Sequence, residues 1–207
     1  AHYNLGGALH DLGQLLEAVK SYQIAIELDP KHPEAHNNLG NSFKELEQID
    51  SAIHYFKKAI EINPNYFEPN YSLGLIFQEL NQLDDAAKYF EAGLAIFPNL
   101  NGMNNNLGNI YRELNQIDKA IICYEKEILL NPQSAQAFYN LGSSFYELGK
   151  LSEAKQSFNT ANTLEPENAR TLFNLGNTLK SLGKLNEAET AYRKAIKLQP
   201  EYVEAYY

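Results

Sequence analysis

Residues 33–66 read PEAHNNLGNSFKELEQIDSAIHYFKKAIEINPNY, and this stretch decides the fold. It holds a Leu-Gly pair at Leu39-Gly40, a small residue at Ala52, an aromatic residue four positions later at Phe56, and Pro64 near its end. Self-similarity at a fixed period of 20–50 residues is the signature of repeat architectures. If the chain is a repeat protein, the same four residues should recur along it at a constant spacing.

All four marks recur every 34 residues without insertion. The Leu-Gly pairs are Leu5-Gly6, Leu39-Gly40, Leu73-Gly74, Leu107-Gly108, Leu141-Gly142 and Leu175-Gly176. The alanines are Ala18, Ala52, Ala86, Ala120, Ala154 and Ala188, each followed after four residues by Tyr22, Phe56, Phe90, Tyr124, Phe158 or Tyr192. The prolines are Pro30, Pro64, Pro98, Pro132, Pro166 and Pro200. The whole chain is therefore one array of similar units.

These residues resemble the tetratricopeptide repeat, whose pattern is W-x2-L-G-x2-Y, then A-x3-F, then P. The resemblance implies an all-α fold, a right-handed superhelical α-solenoid of antiparallel helix pairs whose first helices line the concave side. With Leu-Gly at positions 7 and 8, the repeats span 1–32, 33–66, 67–100, 101–134, 135–168 and 169–202, and 203–207 begins a seventh helix pair. The family's Trp position holds other residues here, which we expect to weaken packing: His2, His36, Asn70, Asn104, Phe138 and Leu172.

Each unit reads as two helices joined by a tight turn. Helical spacing of apolar residues predicts the first helix, and the turn residue after it suits the left-handed conformation of a helix end. That residue is Gly13, Asn81, Asn115, Gly149 or Gly183, but Glu47 in repeat two, where we expect strain. The next residues suited to an N-cap are Asp50, Asp84, Asp118, Ser152 and Asn186, with Leu16 as the exception.

Two small-residue positions predict close contact between helices. The glycine of each Leu-Gly pair costs roughly 1 kcal/mol inside a helix, so we expect it to allow the second helix's backbone to approach. A second contact point holds Ala25, Ala59, Ala161 and Ala195, but Gly93 in repeat three and Glu127 in repeat four. We expect Glu127 to kink its helix or to extend its side chain to solvent.

Composition narrows the function. The net charge of −9 argues against a nucleic-acid binder, which normally carries a basic stripe, and against an anionic membrane surface. No apolar run reaches the roughly 18 residues of a membrane span, so we expect no membrane insertion. The single cysteine gives no disulfide framework and no signal peptide is evident. Nothing fixes the compartment, although the cytoplasm is favoured.

The side of the first helix opposite the core stripe carries positions 2, 5, 6, 9, 12 and 13, which need not serve packing. Asparagine is a mediocre helix former, so its repetition there suggests a role beyond helix formation. Position 6 holds Asn4, Asn38, Asn106, Asn140 and Asn174, with Ser72 in repeat three; position 9 holds Asn41, Asn109 and Asn177; position 5 holds Tyr3, Tyr71, Tyr139 and Phe173 among others. Amides carry both donors and acceptors, and tyrosines supply rigid contact area.

The position-6 asparagines, Asn4, Asn38, Asn106, Asn140 and Asn174, form what we call the asparagine ladder. It is similar to that of the O-linked N-acetylglucosamine transferase superhelix, where such residues hold peptide backbone. The resemblance implies that the ladder, with the listed residues of positions 5 and 9, contacts a protein or peptide partner in the concave groove. Bonds between repeats, or simple solvation, are the alternative roles.

A second recognition mode of the family is a carboxylate clamp of basic residues. Here position 5 has no base, whereas Lys44, Arg112 and Lys180 occupy position 12 and Arg170 occupies position 2. The acidic row Asp11, Glu45, Glu79, Glu113 and Glu147 runs beside them. Neighbouring opposite charges largely neutralise one another, so we do not favour the clamp; the acidic row favours basic ligands or is a solvated rim.

No catalytic or metal constellation emerges from the sequence. His32 and His36 have a spacing that can chelate on one helix face, but His32 falls in a turn and His36 at a packing position. Cys123 lies on a second helix without an implied basic neighbour and reads as an inert thiol. The sequence thus predicts no enzyme, no cofactor and no metal site.

Three functions remain open at this point. The first is an interaction scaffold that binds an extended peptide or protein segment. The second is a structural spacer or a superhelix that self-assembles head to tail through its apolar ends. The third is the substrate-targeting region of a larger glycosyltransferase, in which case the chain is a piece of a longer protein.

Overall fold

The computed structural model describes residues 1–200, which form twelve α-helices. The predicted seventh helix pair at 203–207 lies outside the described residues. First helices are α1 (His2–Asp11), α3 (Pro33–Glu45), α5 (Phe67–Glu79), α7 (Met103–Glu113), α9 (Ala135–Glu147) and α11 (Ala169–Ser181). Second helices are α2 (Leu15–Leu28), α4 (Ile49–Ile62), α6 (Leu83–Ile96), α8 (Ile117–Leu130), α10 (Leu151–Leu164) and α12 (Leu185–Leu198).

The chain divides into two compact units, Ala1–Pro98 with α1–α6 and Asn99–Tyr207 with the described helices α7–α12. In each unit every first helix packs against the second helix of its own repeat, and each second helix packs against the first helix that follows within the unit. Each unit is thus a continuous stack of three antiparallel helix pairs. The predicted all-α helical solenoid of 34-residue helix pairs is confirmed.

The repeated small and aromatic residues form the core of each helix pair. Ala52, Ala86 and Ala154 have no exposed surface, and neither do Phe56 and Phe90. The glycine of each Leu-Gly pair faces that aromatic ring: a Cβ on Gly40 would lie 2.8 Å from the Phe56 ring. Close approach was predicted, but it is the aromatic side chain of the second helix, not its backbone, that occupies the space.

The turn between paired helices has the predicted left-handed residue. The φ angles are 71° at Gly13, 58° at Glu47, 56° at Asn81, 58° at Asn115, 71° at Gly149 and 74° at Gly183. A left-handed conformation costs an ordinary L-residue roughly 1–2 kcal/mol, because its Cβ approaches the following carbonyl. Glu47 therefore sits in strained backbone, as its sequence position predicts.

The predicted N-caps of the second helices are wrong by two residues. The caps are Gln14, Gln48, Gln82, Gln116, Lys150 and Lys184, and none accepts a side-chain hydrogen bond. The helix starts early because the left-handed turn lets the Gln48 carbonyl accept from the Ala52 amide at 3.0 Å. The predicted caps therefore lie within the first turn of their helices, at residues 50, 84, 118, 152 and 186. There the carboxylates of the three aspartates interact favourably with the partial positive charge of the helix N-terminus. Leu16 also lies inside its helix, α2, so it is no exception.

Glu127 is buried, with 2% of its surface exposed, and the prediction that it reaches solvent is wrong. Its Oε1 accepts a hydrogen bond from the Gly102 amide at 2.7 Å. Gly102, with φ of 84°, is the N-cap of α7, which begins two residues later in its repeat than α3, α5, α9 and α11 do. The carboxylate thus satisfies an amide at the start of a neighbouring helix, which explains why it points inward.

Polar residues at the family's Trp position are also buried. The Asn70 side chain donates to the Tyr66 carbonyl at 2.8 Å, and Nε2 of His36 lies 3.1 Å from the Pro30 carbonyl oxygen. Both acceptors belong to the turn that precedes the helix. These side chains therefore stabilise the connection between repeats through hydrogen bonds, whereas the Trp of the family pattern would do so through packing.

Candidate functional site

The aromatic residues at position 5 of the first helices pack against the aromatic core, contrary to the helical-wheel expectation that they are free of it. Ring centroids are 6.1 Å apart for Tyr3 and Tyr22, and 5.7 Å apart for Tyr139 and Phe158. The pairs Tyr71–Phe90 and Phe173–Tyr192 repeat this contact at 6.0 and 5.9 Å. Helical side chains lean toward the helix N-terminus, which brings position 5 over the second helix.

Three members of the asparagine ladder bond to the preceding repeat. Nδ2 of Asn174 donates to the Tyr139 hydroxyl at 2.7 Å, and Nδ2 of Asn38 donates to the Tyr3 hydroxyl at 3.3 Å. Nδ2 of Asn140 donates to Oδ1 of Asn105 at 2.9 Å. Each bond joins position 6 to position 5 of the repeat before it. The alternative role considered for the ladder, bonding between repeats, is therefore present in the structure.

Position-9 asparagines bond to the second helix of their own repeat when its aromatic residue is a tyrosine. The Tyr124 hydroxyl donates to Oδ1 of Asn109 at 2.8 Å, and the Tyr192 hydroxyl donates to Oδ1 of Asn177 at 2.8 Å. Both hydroxyls are protonated donors at neutral pH, and burial raises the pKa of both tyrosines further above that range. The sequence signal for this bond is the choice of Tyr over Phe fifteen residues after the asparagine, and it was missed.

Asn140 uses its whole amide inside the protein. Besides the bond to Asn105, Nδ2 donates to Oδ1 of Asn109 at 3.0 Å, and Oδ1 accepts from Gln136 at 2.9 Å. Only 3% of its surface is exposed. This ladder member is positioned to join repeats four and five rather than to meet a partner.

The other predicted contact residues differ in exposure. Asn4 is exposed, whereas Asn106, Asn41, Asn109 and Asn177 are half-buried. Asn4 and Tyr3 line a cavity of about 310 Å³ beside His32. Tyr71 is half-buried against Phe90, and Phe173 against Tyr192. These asparagine and aromatic side chains are therefore at least partly accessible to solvent.

A pocket of about 200 Å³ opens on the first-helix face of unit Asn99–Tyr207. We call it the repeat-6 pocket; its lining includes Arg112, Tyr139, Ser143, Tyr146, Glu147, Arg170, Asn174 and Asn177. Asn174 uses its amide nitrogen internally, whereas Asn177 uses its amide oxygen internally. The pocket is therefore left with an acceptor from Asn174 and a donor from Asn177, three residues apart on one helix.

An equivalent pocket lies in the other unit. The repeat-2 pocket, of about 300 Å³, is lined by Gly7, His10, Asp11, Tyr22, Asn38 and Asn41. Asn38 and Asn41 hold the same positions, 6 and 9, as Asn174 and Asn177. The charged residues differ, because His10 pairs with Glu45 at 3.1 Å beside Asp11 and no arginine is present. The two pockets thus share asparagines at positions 6 and 9 but differ in their charged residues.

Matches to family models cover most of the chain. Models described as TPR repeat match residues 6–46, 108–149 and 142–183, which together exceed half of the sequence. Models described as tetratricopeptide repeat match residues 33–66, 169–202 and 55–88. The chain belongs to the tetratricopeptide repeat family.

Solved structures similar to this tetratricopeptide repeat chain share its fold. The crystal structure of YrrB, described as a TPR protein with an unusual peptide-binding site, aligns with a TM-score of 0.81 at 23% identity, covering 91% of this chain and 97% of that one. The crystal structure of MamA protein aligns at 0.77 with 20% identity, covering 83% and 94%. PilF of Pseudomonas aeruginosa aligns at 0.72 with 19% identity, covering 99% and 93%. No curated protein matches.

Residues 1–200 of the tetratricopeptide repeat chain offer neither a metal site nor a membrane span. No cluster of three or more His, Cys, Asp or Glu side chains suited to a metal ion occurs in that range. His32 pairs instead with Glu34 at 2.8 Å, and Cys123 is buried. None of the helices there combines the length and apolar character needed to cross a bilayer.

Proposed function

We propose that this tetratricopeptide repeat protein is a non-catalytic interaction scaffold that binds an extended segment of a partner protein along its first helices. An extended strand presents backbone N–H and C=O groups in alternation, and each needs a partner when it leaves water. A surface that offers one acceptor and one donor side by side can satisfy both, whatever the partner's side chains are.

The observation that carries this proposal is that Asn174 and Asn177 each use only one half of the side-chain amide inside the protein. One half of each amide is fixed by a tyrosine hydroxyl, at 2.7 Å for Asn174 and 2.8 Å for Asn177. The fixed half orients the free half, so little side-chain entropy remains to be lost on binding. Recognition of peptide backbone requires a preorganised acceptor and a preorganised donor, and the free halves of these two amides supply them.

The position-6 bond to the preceding repeat and the proposed partner contact are compatible. An amide has two donors and an acceptor oxygen with two lone pairs, so a single internal bond leaves capacity for a ligand. This holds for Asn174 but not for Asn140, whose two ends are both engaged. Asn38 is excluded for the same reason, because its Nδ2 donates to Tyr3 and its Oδ1 accepts from Asn37 at 3.2 Å. The proposal therefore assigns partner contact to Asn174 and Asn177.

The fold comparison agrees with the proposal, since the YrrB structure is described as having a peptide-binding site. The resemblance of the ladder to that of O-linked N-acetylglucosamine transferase favours backbone recognition in the same way. The targeting-region alternative shares this binding chemistry, and the sequence surrounding the chain in its full reading frame decides whether a glycosyltransferase domain accompanies it.

The test is selection of peptides from a random display library on the immobilised protein, followed by binding measurements on the selected peptides. We expect the double change Asn174→Ala and Asn177→Ala to weaken binding of those peptides at least tenfold, since each lost bond in the interface is worth about 1 kcal/mol. Asn159→Ala on the exposed side of α10 is the matched control and should change nothing. If no peptide is enriched over an uncoated surface, the proposed function is wrong.

A further inference from the structure

We infer that the repeat-6 pocket is a specificity site for an acidic side chain, Asp or Glu, within the bound segment, and that Arg170 makes the charged contact. The inference rests on the proposed function, because it assumes a peptide in the groove, and it adds what that peptide must carry. It follows from the charges around the pocket and from a comparison between the two equivalent pockets of the chain.

Arg170 is positioned to receive a carboxylate. It is the second residue of α11, exposed, and its guanidinium carbon lies 4.8 Å from the centroid of the Tyr139 ring. Stacking on an aromatic face fixes the plane of the guanidinium and leaves its N–H edge open. No acidic side chain lies within ion-pairing distance of Arg170 among residues 1–200. A planar guanidinium held this way suits bidentate bonding to a carboxylate.

Arg112 adds a second positive charge across the pocket. Its Nε lies 3.8 Å from Oε1 of Glu147, which is longer than the 2.7–2.9 Å of a charge-assisted hydrogen bond. Glu147 is therefore a loose counter-ion that offsets one of the two arginines. The lining thus carries two positive charges and one negative charge, and a ligand carboxylate would bring the net charge of the pocket to zero.

The pocket also supplies hydrogen bonds that a carboxylate can accept. Nδ2 of Asn177 is free, and the Tyr139 hydroxyl that accepts from Asn174 still has its own proton to donate. Charge from an arginine together with neutral donors favours a carboxylate over a primary amide at the same place, because the amide gains no charge-assisted bond. The discrimination is therefore between Glu and Gln, or between Asp and Asn, at one ligand position.

The repeat-2 pocket is an internal comparison for this inference. It holds asparagines at the same two positions, but the residue equivalent to Arg170 is Glu34. Its own lining contributes Asp11 and His10. The two pockets share asparagine positions but not their bonding, because Oδ1 of Asn38 accepts from Asn37 and Phe56 offers Asn41 no hydroxyl. Arginines line the repeat-6 pocket and not the repeat-2 pocket, so we assign the preference for an acidic ligand side chain to them.

The inferred ligand group is a side chain inside an extended segment, not a chain terminus. The amides of Asn174 and Asn177 lie on the same helix as Arg170, so backbone bonding and the charged contact can occur together along one strand. Amidation of the peptide C-terminus should therefore leave affinity unchanged. This separates the inference from the carboxylate clamp, which needs the terminal carboxylate.

The experiment uses the full chain and the same random display library, with a pH-neutral buffer at low salt. Peptides selected on wild-type protein should be enriched in Asp and Glu. Selection on Arg170→Glu, which copies the charge of repeat two, should lose that enrichment. Arg193→Glu on α12, where the wild-type arginine pairs with Glu189 at 2.7 Å outside the repeat-6 pocket, is the control and should retain it. Circular dichroism verifies that each variant is folded.

One selected peptide is then synthesised with an amidated C-terminus, and its acidic residue is changed to the matching amide. We expect about tenfold weaker binding to wild type, the equivalent of about 1.4 kcal/mol, and no further loss in Arg170→Gln. An equal loss in both proteins overturns the inference while leaving the proposed function intact, as does selection of peptides without acidic enrichment. Loss of all selection overturns both.

Discussion

Nδ2 of Asn174 donates a 2.7 Å hydrogen bond to the hydroxyl of Tyr139, thirty-five residues earlier in the chain. Tyr139 itself is buried and packs its ring against Phe158. One tyrosine therefore completes the core of repeat five and orients an amide of repeat six. Stability and recognition are coupled at this residue, and the two contributions can be separated by experiment.

Tyr139→Phe should keep the ring contact and remove the hydroxyl. We expect a loss of about 1 kcal/mol in the free energy of unfolding, because the Asn174 amide loses its partner. Urea unfolding followed by circular dichroism measures it. Tyr3→Phe is the matched change in repeat one, where the corresponding bond is 3.3 Å long and the loss should be smaller. An equal loss in both variants would contradict the importance of bond geometry.

How much of the site the sequence could predict is visible at these residues. The 34-residue period was enough to place positions 6 and 9 on one face of the first helices. It could not show that position 5 packs or that Asn140 is saturated, because a helical wheel treats one helix alone. Whether a side chain is free depends on the neighbouring repeat and on the second helix, which the wheel leaves out.

Gly6 and Gly7 are adjacent in α1 but face different surroundings. A Cβ on Gly6 would lie 2.7 Å from two carbons of the Tyr22 ring, whereas a Cβ on Gly7 would meet only the Tyr22 hydroxyl, at 3.7 Å. Gly6→Ala should therefore lower the free energy of unfolding by about 1–3 kcal/mol through overpacking. Gly7→Ala should raise it by up to about 1 kcal/mol through helix propensity.

Urea unfolding of the Gly6→Ala and Gly7→Ala variants beside wild type measures both changes in the free energy of unfolding. Because the two residues share a helix, fraying of α1 affects both variants equally and cannot reverse their order. A stabilising Gly6→Ala would show that Tyr22 moves aside at little cost. That result would contradict the proposed reason for the glycine in every Leu-Gly pair.

Glu47 adopts φ of 58° where other repeats use glycine or asparagine. Glu47→Gly should raise the free energy of unfolding by about 1 kcal/mol, since the strain of a left-handed L-residue is removed. Glu47→Asn, which copies Asn81 and Asn115, should fall between wild type and glycine. Thermal and urea unfolding provide the measurement. A Gly149→Glu variant is the reciprocal change and should lose stability; a gain there would refute the argument.

The fold itself was largely predictable, and its exceptions have local causes. The period, the helix pairs and the left-handed turns follow from recurring residues at fixed spacing. The N-caps were misplaced because side-chain capping was assumed, whereas the turn lets a backbone carbonyl begin the helix at Gln48. Glu127 was misjudged because its partner, the Gly102 amide, lies twenty-five residues away and no local pattern points to it.

Glu127→Ala should destabilise the unit Asn99–Tyr207 although alanine is the common residue at this position. The Gly102 amide loses its buried hydrogen-bond acceptor, for which we expect a cost of about 2 kcal/mol. Glu127→Gln keeps an acceptor oxygen and should cost less. Hydrogen exchange of the Gly102 amide reports the bond directly and should accelerate in the alanine variant. Unchanged exchange would show that the carboxylate does not hold this helix start.

Buried tyrosines should make the protein sensitive to alkaline pH. Burial, followed by the nearby Glu68 carboxylate, raises the pKa of Tyr66 from 10.0 to about 12. Burial also raises the pKa of Tyr22, Tyr89, Tyr124 and Tyr192. In this range the unfolded chain binds fewer protons than the folded one, so the free energy of unfolding falls as pH rises. The contribution is fully present below pH 10.0 and is lost as pH rises through about 12.

Tyr66→Phe tests this alkaline sensitivity at one residue. The variant should lose less stability than wild type between pH 10.0 and about 12, because phenylalanine has no proton to release. Urea midpoints at a series of pH values give the slopes, and phenolate absorbance shows where tyrosines ionise in the folded protein. If both proteins lose stability with the same slope, then Tyr66 ionises equally in the folded and unfolded chains, and burial does not protect its proton.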